Sequence, residues 1–290
     1  MINLNTLKYR FKNAGIVEQL IYINLAVFIA VYLFQVVGFL FQLGDSLILV
    51  EWLSLPASFS GFIRKPWTII TYGFVHTGII HILMNLIALY FIGHLFKQYF
   101  TGRQLLDFYL LGTLFGGILF LLSYNYFPAF LQDKNVSVLI GASAGISAIF
   151  VGVATYIPNY QLKIPLIGFV KLWHLAAVWV MLDVIQIPIS NPGGRIAHLG
   201  GALFGFLYVN SASNKDLDIF KSFRNLFKQE KKSPLKTVHK SKTTTTKSNT
   251  FKNKDVNQQK VDEILDKIGK SGYDVLSKEE KEFLFKQGRK

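Results

Sequence analysis

The chain is expected to fold as an all-α polytopic membrane protein, six helices crossing a bilayer and a basic tail behind them. Three observations predict this. Of its 290 residues 51% are apolar and only 17% charged, against roughly 25% charged in soluble proteins. The apolar residues gather before Asn210 in runs near the ~20 residues a span requires, and a lysine-rich stretch follows them.

Residues 1–18 carry Lys8, Arg10 and Lys12 and read as a short cytoplasmic segment. The apolar run after them is too long for a signal-peptide core and has no small-residue cleavage pattern, so it is expected to be retained as the first span. Spans are predicted at 19–42, 70–96, 104–127, 137–157, 168–189 and 195–211. Together they make a membrane domain over 19–211. The connection 43–66 mixes Leu, Trp and Phe with Asp45, Glu51, Arg64 and Lys65, a composition suited to the membrane interface. Residues 212–257, with a threonine run at 243–246, are expected to be a flexible basic linker. Residues 258–290 read as a small helical module. There Val261, Ile264, Leu265 and Ile268 fall at helical spacing, and Ser277 to Glu280 forms a capping box opening a second helix.

Orientation follows from the basic residues of the connections. With the N-terminus inside, Lys8, Arg10, Lys12, Lys97, Arg103, Lys163 and Lys171 lie inside, against Arg64, Lys65, Lys134 and Arg195 outside. After Asn210 stand 20 basic and 11 acidic residues, a net +9 of the chain's +14. A basic juxtamembrane tail favours the cytoplasmic side. Both termini are therefore expected in the cytoplasm, and the starts of spans two, four and six near the outer surface. The tail lysines lack the interleaved aromatics of a nucleic-acid module, so the lipid bilayer is their expected partner and nucleic acid is not.

Polar residues inside spans are costly, and they face a cavity or one another. Ser143, in Gly141-Ala142-Ser143-Ala144-Gly145, and His198, in Ala197-His198-Leu199-Gly200-Gly201, occupy separate spans at matching depth. Taken alone, the serine among glycines reads as close helix packing, since Gly141 and Gly145 have Gly-x-x-x-Gly spacing, as do Gly201 and Gly205. Taken together, the two packing faces bring a hydroxyl to an imidazole, the arrangement of general-base activation. His81 and Asn85, at i and i+4, share a helix face and either donate to an oxyanion or form a polar packing face. The chain has no cysteine, which excludes thiolate chemistry and disulfides. His76, His81 and His94 have no acidic neighbour in their span, so no metal or other cofactor is expected. Asp183, in span five, is read as a local helix hydrogen bond or an interfacial group, because no spacing pairs it with His198.

These motifs resemble the rhomboid family of intramembrane serine proteases. The likeness covers about 66–210: Pro66-Trp67, Phe74-Val75-His76, His81 to Asn85, the Gly141 to Gly145 motif, and Ala197 to Gly201. It implies a six-helix rhomboid bundle with Ser143 as nucleophile and His198 as general base, then acid. It also implies an oxyanion hole of His81, Asn85 and the Ser143 N–H, with His76, Gly141, Gly145 and Gly201 in support. No third triad acid is implied. Two positions depart from the family: Ser147 stands where an aromatic residue commonly stacks on the histidine, and Lys97-Gln98 stand where a turn glutamate is usual. The tail resembles a short module found on some bacterial rhomboids.

The expected function is a serine endopeptidase of the bacterial inner membrane that cleaves transmembrane or membrane-proximal segments of other membrane proteins. The alternative is a non-proteolytic rhomboid-like factor that binds or dislocates membrane proteins. The presence of both Ser143 and His198 favours the enzyme. A histidine-relay transporter would require intramembrane carboxylates, and Asp107 and Asp183 do not stand with the histidines in sequence.

Overall fold

The computed structural model describes residues 3–42, 48–165, 167–213 and 252–287. Two compact units divide the chain, Met1–Lys228 and Gln229–Lys290.

In the first unit, α1 (Leu4–Asn13) precedes the long apolar α2 (Ile16–Leu40). The connection expected at the interface contains α3 (Ile48–Leu53), β1 (Leu55–Pro56) and α4 (Phe59–Arg64). Trp52 and Trp67 stack there at 5.8 Å. Lys65 Nζ pairs with Glu51 at 2.7 Å and stands over the Trp52 ring, so rings and charges meet in this segment.

Span two was expected from residue 70, but its helix starts later. The short α5 (Thr68–Thr71) and a 3₁₀ turn at Tyr72–Phe74 come first, and α6 runs Ile79–Lys97. Two buried tyrosines hold this entry: Tyr72 Oη donates to the Thr113 carbonyl at 2.6 Å, and Tyr109 Oη to the Gly73 carbonyl at 2.7 Å. Buried hydroxyls demand such partners, and these bonds fix the turn against α7 (Gly102–Tyr126). α7 starts at a reciprocal capping box between Thr101 and Gln104. Beside it Glu18 pairs with His94 Nε2 at 3.0 Å, in the region where the family's turn glutamate is missing.

The fourth apolar segment is not helical from its start. Residues Val138–Leu139 form β2, antiparallel to β1 with Leu55 opposite Leu139, and α8 covers Ser143–Tyr156. A hairpin of β3 (Gln161–Ile164) and β4 (Gly168–Lys171) leads to α9 (Leu172–Gln186). α10 (Pro192–Ser213) begins with Pro at its first position, where a missing N–H costs nothing. Asn191 Oδ1 accepts from the Gly194 N–H at 3.1 Å. Among the described residues three helices, α2, α6 and α7, are long and apolar enough to cross a membrane by length and composition. The apolar α8 and α9 are shorter, 14 and 15 residues, or about 21–23 Å at 1.5 Å per residue.

The core lies where α7, α8 and α10 meet, with Phe108, Tyr109, Ile146, Ile149 and Phe204 fully buried. Backbones approach closely there. A Cβ on Gly201 would overlap the Ala144 carbonyl, so only glycine admits this α8–α10 contact.

In the second unit α11 (Lys252–Ser271) and α12 (Lys278–Gln287) flank a 3₁₀ turn. α11 starts ahead of residue 258, where the helical module was expected; its first turns are polar and carry no apolar period from which their helicity could be read. The capping box is present: Glu280 N–H donates to Ser277 Oγ at 3.2 Å, and Ser277 N–H to Glu280 Oε2 at 2.8 Å. The Lys267 ammonium, with this backbone bond, holds the Glu280 carboxyl below its ordinary range. Most of the expected linker, 214–251, lies outside the described residues.

Candidate active site

Ser143 is the first residue of α8, not a residue several turns into a span. Gly141 ends the extended segment with φ +114°, a conformation that L side chains rarely adopt. A Cβ on it would stand 2.9 Å from the His81 ring. Gly141 is therefore not part of a helical Gly-x-x-x-Gly face as its spacing suggested, whereas Gly145 packs on the Tyr109 carbonyl and the Thr113 hydroxyl of α7. Two bonds anchor the approach to the serine. Gly141 N–H donates to the Tyr72 carbonyl at 2.9 Å, and Ala142 N–H to Nε2 of the buried His76 at 3.3 Å.

The helix starts bring the polar residues to one level. Ser143 is first in α8, His81 third in α6 and His198 seventh in α10. His198 Nε2 lies 2.6 Å from Ser143 Oγ, within hydrogen-bond range. The His81 ring lies 4.9 Å from that of His76 in edge contact and covers Gly141. Asn85 Nδ2 donates to the His81 carbonyl one turn back at 2.9 Å, which leaves its second N–H free by valence. The Ser143 N–H, at a helix start, has no intrahelical acceptor. Ser143, His198, His81 and Asn85 border a cavity of about 480 Å³, together with Met84, Ile140, Trp179 and Arg195.

Two residues of α9 belong to this site although no sequence pattern placed them there. Asp183 was read as a local or interfacial group, and the structure overturns that. Its side chain is 4% exposed and its Oδ1 lies 3.0 Å from His198 Nδ1. Arg195 Nη1 donates to the same oxygen at 2.9 Å, and its other terminal nitrogen donates to Gln186 Oε1. Trp179 is the second. Its indole N–H donates to Ser147 Oγ at 3.2 Å, and its ring stands 6.4 Å from that of His198. The aromatic neighbour of the histidine thus comes from α9, and Ser147, where the family carries a ring, serves as its hydrogen-bond acceptor. Among the described residues no three His, Asp or Glu side chains stand close enough to hold a metal ion.

A helical bundle with a serine and a histidine joined at one end of its apolar helices defines a class of membrane protein that carries a polar site among apolar helices. The comparisons name the family. The rhomboid domain model matches residues 64–214, just over half of the chain, and the chain belongs to the rhomboid family. It is an integral membrane protein. RHOMBOID-like protein 12, mitochondrial, of Arabidopsis thaliana is 31% identical over 144 residues, covering 47% of this chain and 43% of that relative. The chain thus spans less than half the length of the relative it matches. Residues 246–287 match a family of unknown function, DUF6576, which takes in both helices of the second unit.

Proposed function

We propose that this protein is an intramembrane serine endopeptidase that cleaves transmembrane or membrane-proximal segments of other membrane proteins. The observation that carries the reading is the 2.6 Å contact of Ser143 Oγ with His198 Nε2, at the edge of a cavity large enough for a stretch of unwound peptide.

In this reading the Ser143 O–H gives its proton to His198 Nε2 as Oγ bonds to the scissile carbonyl carbon. The carbonyl oxygen takes up the negative charge and meets donors already in place, the Ser143 N–H, His81 and the free N–H of Asn85. Collapse breaks the C–N bond, and His198 returns its proton to the leaving amine. Water then attacks the acyl-serine, giving a proton to His198 and releasing the acid, and the proton goes back to Oγ. A substrate helix hides its carbonyls in internal hydrogen bonds, so segments weakened by glycine or proline are the substrates of choice. The six apolar helices form the rhomboid bundle, with both termini in the cytoplasm of a bacterial cell and the site facing outward.

Reaction of the detergent-purified full chain with a fluorophosphonate probe tests this directly. Labelling is expected at Ser143, lost in Ser143→Ala and His198→Ala, with cleavage of a reporter membrane substrate lost in parallel. Near wild-type cleavage in either variant removes the assignment. An unlabelled, inert wild type supports the non-proteolytic binding role instead.

A further inference from the structure

We propose that Asp183 is a positioning residue that turns the Ser143–His198 pair into a three-membered relay, with Arg195 as its counter-charge. The inference rests on the proteolytic reading above.

The chemistry of the three groups fixes the direction of each bond. An ionised carboxylate only accepts, so the hydrogen between Asp183 Oδ1 and His198 Nδ1, 3.0 Å apart, belongs to Nδ1. A neutral imidazole with its hydrogen on Nδ1 has its lone pair on Nε2, and Nε2 faces Ser143 Oγ. Asp183 thereby selects the tautomer able to take the serine proton, and it stabilises the imidazolium formed when that proton arrives. It does not itself become protonated in the step.

A buried carboxylate in an apolar bundle is costly unless paired and hydrogen-bonded. Arg195 meets that need at Oδ1, while Asp183 Oδ2 has no hydrogen-bond partner among the described residues. Arg195 and His198 lie three apart on α10, and Asp183 and Gln186 three apart on α9, so one face of each helix meets the other. The guanidinium spans Asp183 and Gln186, and it takes one direction of approach to Oδ1 while His198 takes another. An ion pair serving only to join α9 to α10 would need Asp183, Gln186 and Arg195 alone. The fourth member, His198, ties it to the nucleophile. Position 147 makes such a hold necessary, since a serine there cannot restrain the imidazole by stacking, and the Trp179 ring stands 6.4 Å away.

The test is Asp183→Asn in the full-length protein, with Asp183→Glu beside it. Asparagine keeps the shape but offers an N–H or a neutral carbonyl. The corresponding change in a soluble triad lowers kcat about 10⁴-fold, and here a fall of at least about 100-fold is expected. It should appear in kcat for a reporter substrate and in the rate of fluorophosphonate labelling of Ser143, with KM within about twofold. Asp183→Glu should recover part of the loss. A kcat within about threefold of wild type in a folded Asp183→Asn protein overturns the proposal, as does a loss confined to KM. If Asp183→Asn does not fold, ¹⁵N-histidine spectra of the wild type decide: a His198 protonated on Nδ1 upholds the proposal, and one protonated on Nε2 refutes it. A wild type that is neither labelled nor active removes the proteolytic reading and the relay with it. An active wild type with an active Asp183→Asn variant removes the relay alone.

Discussion

Ser143 and His198, the proposed nucleophile and base, sit on two helices built quite differently from the helices that complete the site. α8 buries eleven of its fourteen residues, and its seam with α10 is made by backbone against backbone. α9 buries three of fifteen, Leu172, Ala176 and Asp183, and α6 leaves Ile79, Ile80, Leu83, Tyr90 and Phe91 exposed. The Ser143–His198 distance is thus set by a contact with no side chains to adjust. The Asp183 carboxylate, the Trp179 indole and the His81 and Asn85 side chains reach the same point from helices that bury few of their residues. A close-packed seam is stiff because any added atom must displace backbone. The flanks can shift without breaking it.

The sharpest way to break this contrast is at the seam. Gly201→Leu would drive a side chain into the Ala144 carbonyl, and overpacking of this kind costs about 3 kcal/mol or more when the backbone must move. The expected outcome is a large drop in thermal stability in detergent, with labelling of Ser143 lost even in the fraction that folds. Wild-type stability would mean that α8 and α10 can separate, and that the seam does not set the site.

On the flank, Asn85→Ala should leave stability nearly unchanged while lowering kcat roughly 10- to 100-fold, less than the 10²–10³ for loss of a principal oxyanion donor. The Ser143 N–H and His81 remain, and one Asn85 N–H is already committed to the His81 carbonyl. A kcat equal to wild type would make Asn85 a packing residue. Trp179→Phe should do less again, roughly 3- to 10-fold in kcat, because it keeps a ring near His198 and leaves the buried Ser147 hydroxyl without its donor. An unchanged kcat would leave Asp183 as the sole hold of α9 on the histidine.

The same contrast explains what could be read from the sequence. Long apolar runs announce helices, so α2 and α6 to α10 each lie largely within a predicted span, while α3 and α4 fall in the connection 43–66, and motifs local in sequence pointed to Ser143, His198, His81 and Asn85. What escaped was set by breaks between helices. Gly141 at positive φ and the β1–β2 pairing start α8 at Ser143, whereas hydropathy counts residues 137–142 as span. The turn at Tyr72–Phe74 likewise starts α6 at Ile79, which brings His81 to the level of the serine. Asp183 was missed because fifteen residues and the break at 187–191 separate it from His198. Helical periodicity carries no phase across such a break, and Asn191 at φ +48° redirects the chain in a way that its identity alone does not reveal. Trp179 escaped for the same reason: it lies on another helix, where it bonds to Ser147 and stands 6.4 Å from the His198 ring without stacking on it.

The smallest effect is expected at Leu182, beside Asp183 but 44% exposed on the outward side of α9. In water an exposed leucine next to a buried carboxylate would be a poor control, since shortening it alters hydration. In a bilayer the lipid tails are as apolar as leucine, so Leu182→Ala exchanges one apolar contact for another. Stability should stay within about 0.5 kcal/mol, and so should the barrier read from kcat. If the outward side of α9 does more than face lipid, this variant is where it appears: a raised KM for a membrane substrate with unchanged fluorophosphonate labelling would mean that the substrate helix docks on α9 before it reaches Ser143. Equal KM and kcat would leave α9 with only its inward stripe, Trp179, Asp183 and Gln186, to contribute to the chemistry.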